Sequence, residues 1–165
     1  MNQHILDKID LVSGIVPINL GSARSSDVMS LKNFHRVAIV FFKAAGSASE
    51  DPTLTVLQAS SVAPSNAKAL NFTEIWTKQG TLTSVGTWTK TTQAAGNTYT
   101  NTSASENEAI WVIDIQTDAL DVDCGFDCIQ VTIADAGSTN QLGALLFVGH
   151  EPRYSLAGGL SALSN

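Results

Sequence analysis

The sequence breaks every few residues, and that rhythm constrains the fold more than anything else in it. Short runs rich in β-branched and aromatic residues alternate with clusters of Gly, Asn, Asp, Ser and Pro. RVAIVFFK (36–43), TLTVLQAS (53–60), NFTEIWTK (71–78), SVGTWTKTT (84–92), AIWVIDIQ (109–116), CIQVTIAD (128–135) and LGALLFVG (142–149) each have the length of a strand. Between them lie AAGSASEDP, ASSVAPSNAK, KQGTL, QAAGNTYTNTSASENEA and DAGSTNQ. These are turn stretches: glycine reaches positive φ, Asn and Asp cap nearby backbone, and proline fixes φ. Without helices between the strands, βαβ units are excluded. About eight short strands at this spacing predict an antiparallel β-sandwich or barrel.

Single strands carry further information. RVAIVFFK is apolar almost throughout, which suits a strand buried on both faces. TLTVLQAS alternates, with Leu54, Val56 and Gln58 opposite Thr55, Leu57 and Ala59. NFTEIWTK alternates too, setting Phe72, Glu74 and Trp76 against Thr73, Ile75 and Thr77. GIVPINL (14–20) and DVMSL (27–31) are weaker, and Pro17 confines the first to a sheet edge. The one helical signal is at the start, where Ile5, Leu6, Ile9 and Val12 approximate a helical stripe. This segment reads equally as a docking arm and as a strand or short helix closing the core. The division is therefore an N-terminal arm or edge strand over 1–20, a sandwich domain over 21–154, and a tail over 155–165. The tail, SLAGGLSALSN, is small and flexible in composition, fitting a docking tail or a frayed end. The longest loop, Gln93 to Glu108, is polar.

Composition narrows the function. The hydrophobic share is 44% and the charged share 15%, so the 165-residue chain folds as one domain with a surface of Ser, Thr, Asn and Gln. With a net charge of −6 and no Lys/Arg cluster, it has no grip on nucleic acid or on an anionic membrane. No apolar run approaches the roughly 20 residues of a membrane span. MNQHILDKIDLVSGIVPINL lacks a basic n-region and an unbroken apolar core, so a cytosolic start is expected. The sequons Asn71-Phe-Thr and Asn101-Thr-Ser are then accidental.

LDVDCGFDC (120–128) concentrates the suggestive chemistry. Asp121, Asp123 and Asp127 around Gly125 loosely resemble an oxygen-rich calcium loop, but Val122 and Phe126 interrupt the oxygens and no closing acidic residue follows. Cys124 and Cys128 have no second Cys/His pair to complete a zinc site, and His4, His35 and His150 are scattered. Their spacing is not a C-x-x-C redox motif, and a disulfide across three residues would strain the strand that follows. The stretch reads as a turn feeding a strand, with two free thiols, no metal and no cofactor.

Catalytic patterns also fail. There is no G-x-S-x-G, H-E-x-x-H or phosphate loop. A glycosidase would need two carboxylates among Glu74, Asp114 and Glu151 to face one cleft. A sugar-binding module would need an exposed aromatic platform, for which Trp88 and Tyr99 are the candidates. Only 7% of the chain is aromatic, so Trp76, Trp88 and Trp111 are expected in the core or at a subunit interface. The expectation is no enzyme and no catalytic residue.

The phrases VMSLKNFHRVAIVFFKAAG, KALNFTEIWTKQG, TQAAGNTYT, IDIQTDALDVDCGFDCIQVTIAD and QLGALLFVGHEPRY resemble small virion proteins of tailed phages and prophages that accompany the major capsid protein. The resemblance covers roughly Val12 to Tyr154. It implies a capsid cement, or decoration, protein: an all-β, jelly-roll-like antiparallel sandwich with an extended or short helical N-terminal arm. Such a protein is made in the host bacterial cytoplasm and binds the outer surface of the expanded capsid as a homotrimer. It clamps neighbouring major capsid subunits against internal DNA pressure. The candidate capsid-contact arm comprises Ile5, Leu6, Ile9, Leu11, Val12 and Ile15. The competing expectations are a head-fibre or tail component, told apart by copy number, and a carbohydrate-binding sandwich module.

Overall fold

The computed structural model describes residues 5–47, 50–63, 66–80, 86–100, 107–137 and 141–154. Twelve strands follow in chain order: β1 (Ile9–Asn19), β2 (Arg24–Ser25), β3 (Met29–Ser30), β4 (Phe34–Lys43), β5 (Thr53–Ala59), β6 (Lys68–Ala69), β7 (Phe72–Gly80), β8 (Thr89–Gly96), β9 (Thr98–Thr100), β10 (Glu108–Gln116), β11 (Cys128–Ile133) and β12 (Leu142–Pro152). Eight of these have six residues or more. Helical structure among the described residues is limited to single 3-10 turns at Ile5–Asp7, Thr117–Ala119 and Val122–Cys124.

Two antiparallel sheets form a sandwich. The larger runs β1-β12-β4-β10-β7-β8 and the smaller β2-β11-β5-β6, with β3 also on β11 and β9 on β5. The long pairings are nested: β4 with β12, β5 with β11, β7 with β10. A long hairpin folded over between two sheets gives this jelly-roll-like order. Alternate side chains point inward. Ile39, Phe41, Trp111, Ile113, Leu145 and Phe147 from the large sheet meet Leu54, Val56, Ile129, Val131 and Ile133 from the small one. Trp111 is the hub, with the rings of Phe41 and Tyr99 each 5.1 Å away, the latter edge-on at 86°. Each large apolar side chain so enclosed contributes about 1.5–3 kcal/mol.

Several expectations change. RVAIVFFK is not buried on both faces: Val37, Ile39 and Phe41 enter the core, while Phe42 is exposed and Ala38 and Val40 are half-exposed. The strict alternation read into NFTEIWTK fails at its start. A bulge between Phe72 and Glu74 brings Phe72 to the same buried side as Ile75 and Thr77. The long loop contains structure: Gln93 to Gly96 belong to β8, and the chain crosses to the other sheet to form β9, where Tyr99 is buried.

The N-terminal helical stripe yields only the 3-10 turn at Ile5–Asp7. From Ile9 the segment is an edge strand hydrogen-bonded to β12. Register shifts at Ser13/Ile15 and Ile15/Ile18 break its ladder, and Pro17 sits in the second. Gly14 is required there, because a Cβ would lie 2.5 Å from Leu145 Cδ2. The tail over 155–165 lies outside the described residues.

Candidate interaction surface

The six arm residues differ in burial. Val12 and Ile15 point into the core, Ile9 is half-buried, and Ile5, Leu6 and Leu11 are exposed. Val16, which the sequence reading passed over, is exposed on the same edge strand. The N-terminal segment thus exposes four large apolar side chains, Ile5, Leu6, Leu11 and Val16.

A second apolar surface covers the outward face of the large sheet. Strand registers place Ser13, Leu146, Val40, Val112, Trp76 and Lys90 in one row across all six strands. Ala144, Phe42, Ile110 and Lys78 form the next row on one side, and Leu11, Val148, Ala38 and Asp114 the next on the other. Phe42 is 52% exposed, Leu146 44%, Trp76 43% and Trp88 48%. These rows cannot be read from the linear sequence, because each member comes from a different strand. The available signal was the unbroken apolar character of β4 and β12, which leaves their outward positions apolar too.

Several charges on this face are paired with opposite ones. Asp114 on β10 accepts hydrogen bonds from Arg36 on β4, and its Oδ1 lies 3.2 Å from His150 Nε2 on β12. Lys90 Nζ lies 2.6 Å from Glu74 Oε1. Lys90 also sits 5.9 Å from the Trp76 ring centroid, and Lys78 the same distance from that of Trp88. Glu74 and Asp114, the carboxylates an active site would need, do line one shallow depression of about 260 Å³ with Arg36 and Gln116. Asp114 is ion-paired with Arg36, and Glu74 with Lys90. Of the two aromatic-platform candidates, Trp88 is on the surface, whereas Tyr99 is in the core, where burial raises its phenol pKa.

LDVDCGFDC forms the turn into β11. Gly125 takes φ +82°, which favours glycine. Asp121 and Asp127 have separate partners. Lys68 holds Asp121 and, with Cys124, lowers its carboxyl pKa. Asp127 lies 3.5 Å from Lys32. Lys68 also sits 4.0 Å over the Phe126 ring. Among the described residues, no group of three or more His, Cys, Asp or Glu side chains gathers in a metal-holding arrangement. Both cysteines are free thiols. Burial, then the Asp127 carboxylate 3.1 Å from its sulfur, pushes Cys128 up to about 12, while Cys124 is exposed.

No protein family matches this sequence, and no curated protein does. Among solved structures the fold is similar to that of the SPBc2 prophage-derived protein YomS, with a TM-score of 0.48 and 11% sequence identity. The likeness covers 86% of this chain and 91% of that one.

Proposed function

We propose that this protein is a structural, non-enzymatic component of a tailed-phage particle that binds the outer capsid surface and clamps neighbouring major capsid subunits. The phage assignment rests on the resemblance of the sequence phrases to those of tailed-phage virion proteins. The single structural observation behind the clamping role is the exposure of the apolar side chains Ile5, Leu6 and Val16 at and before the edge strand β1. An apolar lead-in on a firmly packed module suits gripping a second protein while the module spans a junction. Burying one such side chain on a partner contributes about 1.5–3 kcal/mol. The reading includes self-association on the shell and requires no nucleic acid, membrane, metal or cofactor.

The test is cosedimentation with expanded heads stripped of this protein. Wild-type protein is expected to bind saturably, at a copy number approaching that of the capsid protein. The double substitution Ile5→Asp/Leu6→Asp is expected to weaken binding roughly tenfold or more. A folded wild-type chain that leaves the heads bare overturns the reading, and a copy number of only a few per particle moves the protein to the tail.

A further inference from the structure

We propose that the outward face of the six-stranded sheet is the surface through which copies of this chain associate, two or three sheets turning these faces toward one another about a symmetry axis. This deepens the self-association part of the virion reading, and its test needs no capsid.

Extent is the first argument. Six strands at about 4.8 Å spacing make a band roughly 25 Å wide, and three alternate rows cover about 14 Å along the strands. The resulting patch, about 350 Å², has the size at which a monomer's largest apolar patch is often functional, and it supplies a little under half of the ~800 Å² that one partner gives to a standard interface. The face is a pleated row of side chains, the form in which sheets pack on sheets about 10 Å apart.

Charge identifies the occupant. The outward positions of the six strands carry Arg36, Lys78 and Lys90 against Glu74, Asp114 and Glu108, three of each sign. With Glu151, exposed at the end of β12 and close enough to act on Arg36, the face carries one negative charge, so most of the chain's net charge of −6 lies elsewhere. A polyanion finds no positive field here, and a basic partner finds stronger attraction on the remaining surface. An apolar, nearly charge-balanced face is matched by another like it, and every copy of this chain supplies one. Meeting through it, two copies keep their net negative surfaces apart. Trp76 and Trp88, each with a lysine near its ring, add large and rigid side chains of the kind that anchor interfaces.

Sedimentation equilibrium of the full chain tests this. Wild-type protein is expected to form a closed dimer or trimer, and Leu146→Asp to raise its dissociation constant roughly a hundredfold, with far-UV circular dichroism unchanged. Thr132→Asp, the same charge change on the outward face of the small sheet, is expected to leave association intact. If Leu146→Asp fails to fold, Phe42→Ser replaces it, at a side chain already half in solvent. A wild-type chain that stays monomeric overturns the proposal. So does an oligomer indifferent to both large-sheet substitutions, or one weakened equally by Thr132→Asp.

Discussion

The two sheets share a core and differ on their outward faces. Across the small sheet, Thr98, Thr55, Thr132 and Ser25 stand in one row. The corresponding row on the large sheet is built around Leu146, Val40, Val112 and Trp76. Both sheets bury one face, and both obey the same two-residue period. What differs is the partner expected on the outside: water for the threonine row, protein for the leucine and valine row. Alternation in a strand therefore reports what lies on its second face, and the absence of alternation does not by itself mean burial.

The largest test of that contrast is within β4. Phe41→Ala is expected to cost about 3–5 kcal/mol in urea denaturation, because it opens a cavity beside Trp111. Phe42→Ala, one residue on, is expected to cost less than about 1 kcal/mol when measured on dilute chain. Equal losses would mean that both faces of the strand are covered in the folded monomer. Exchanging the two outward faces sharpens the point. Val40→Thr with Leu146→Thr is expected to abolish self-association at little cost to folding. Thr55→Val with Thr132→Val is expected to create a new adhesive patch, visible as lost solubility.

A smaller effect distinguishes the two thiols at the end of the small sheet. Alkylation at neutral pH is expected to modify Cys124 in the folded protein and to reach Cys128 only on unfolding. Because the folded Cys128 value is raised from 9.0 to about 12, its contribution to stability is fully present below pH 9 and lost as pH rises toward 12. The smallest effect is at Asp121, whose folded value is depressed. Its contribution is present above the ordinary value of 3.8 and lost as pH falls through the lower folded value. Lys68→Met is expected to flatten that acid limb slightly; a melting temperature with unchanged acid dependence would assign the limb to other carboxylates.

Much of the fold was legible because TLTVLQAS and CIQVTIAD carry the two-residue period openly. RVAIVFFK was misread because an apolar run looks the same whether its second face is enclosed or open. The bulge at Phe72 was invisible because a bulge exists only relative to the partner strand β8. The three residues of β9 are too short and polar to announce themselves within a loop. At the N-terminus a helical stripe competed with a strand. The strand prevailed because β12 offers a ladder of backbone partners, whereas a few residues of isolated helix are costly to nucleate. The surface was half legible. Its arm component could be read from Ile5, Leu6 and Leu11, but its larger component assembles from positions scattered between Leu11 and Val148.

Pro17 and the two register shifts in β1 have a consequence for crowding. A strand edge held at high local density can template another strand, and that pairing has no natural end point. Pro17 offers no N–H, and the shifts on either side of Ile15 confine any newcomer on this edge to the straight stretch from Ile9 to Ser13. Growth strand upon strand from this rim would therefore stop at Ser13, well short of the length of β1.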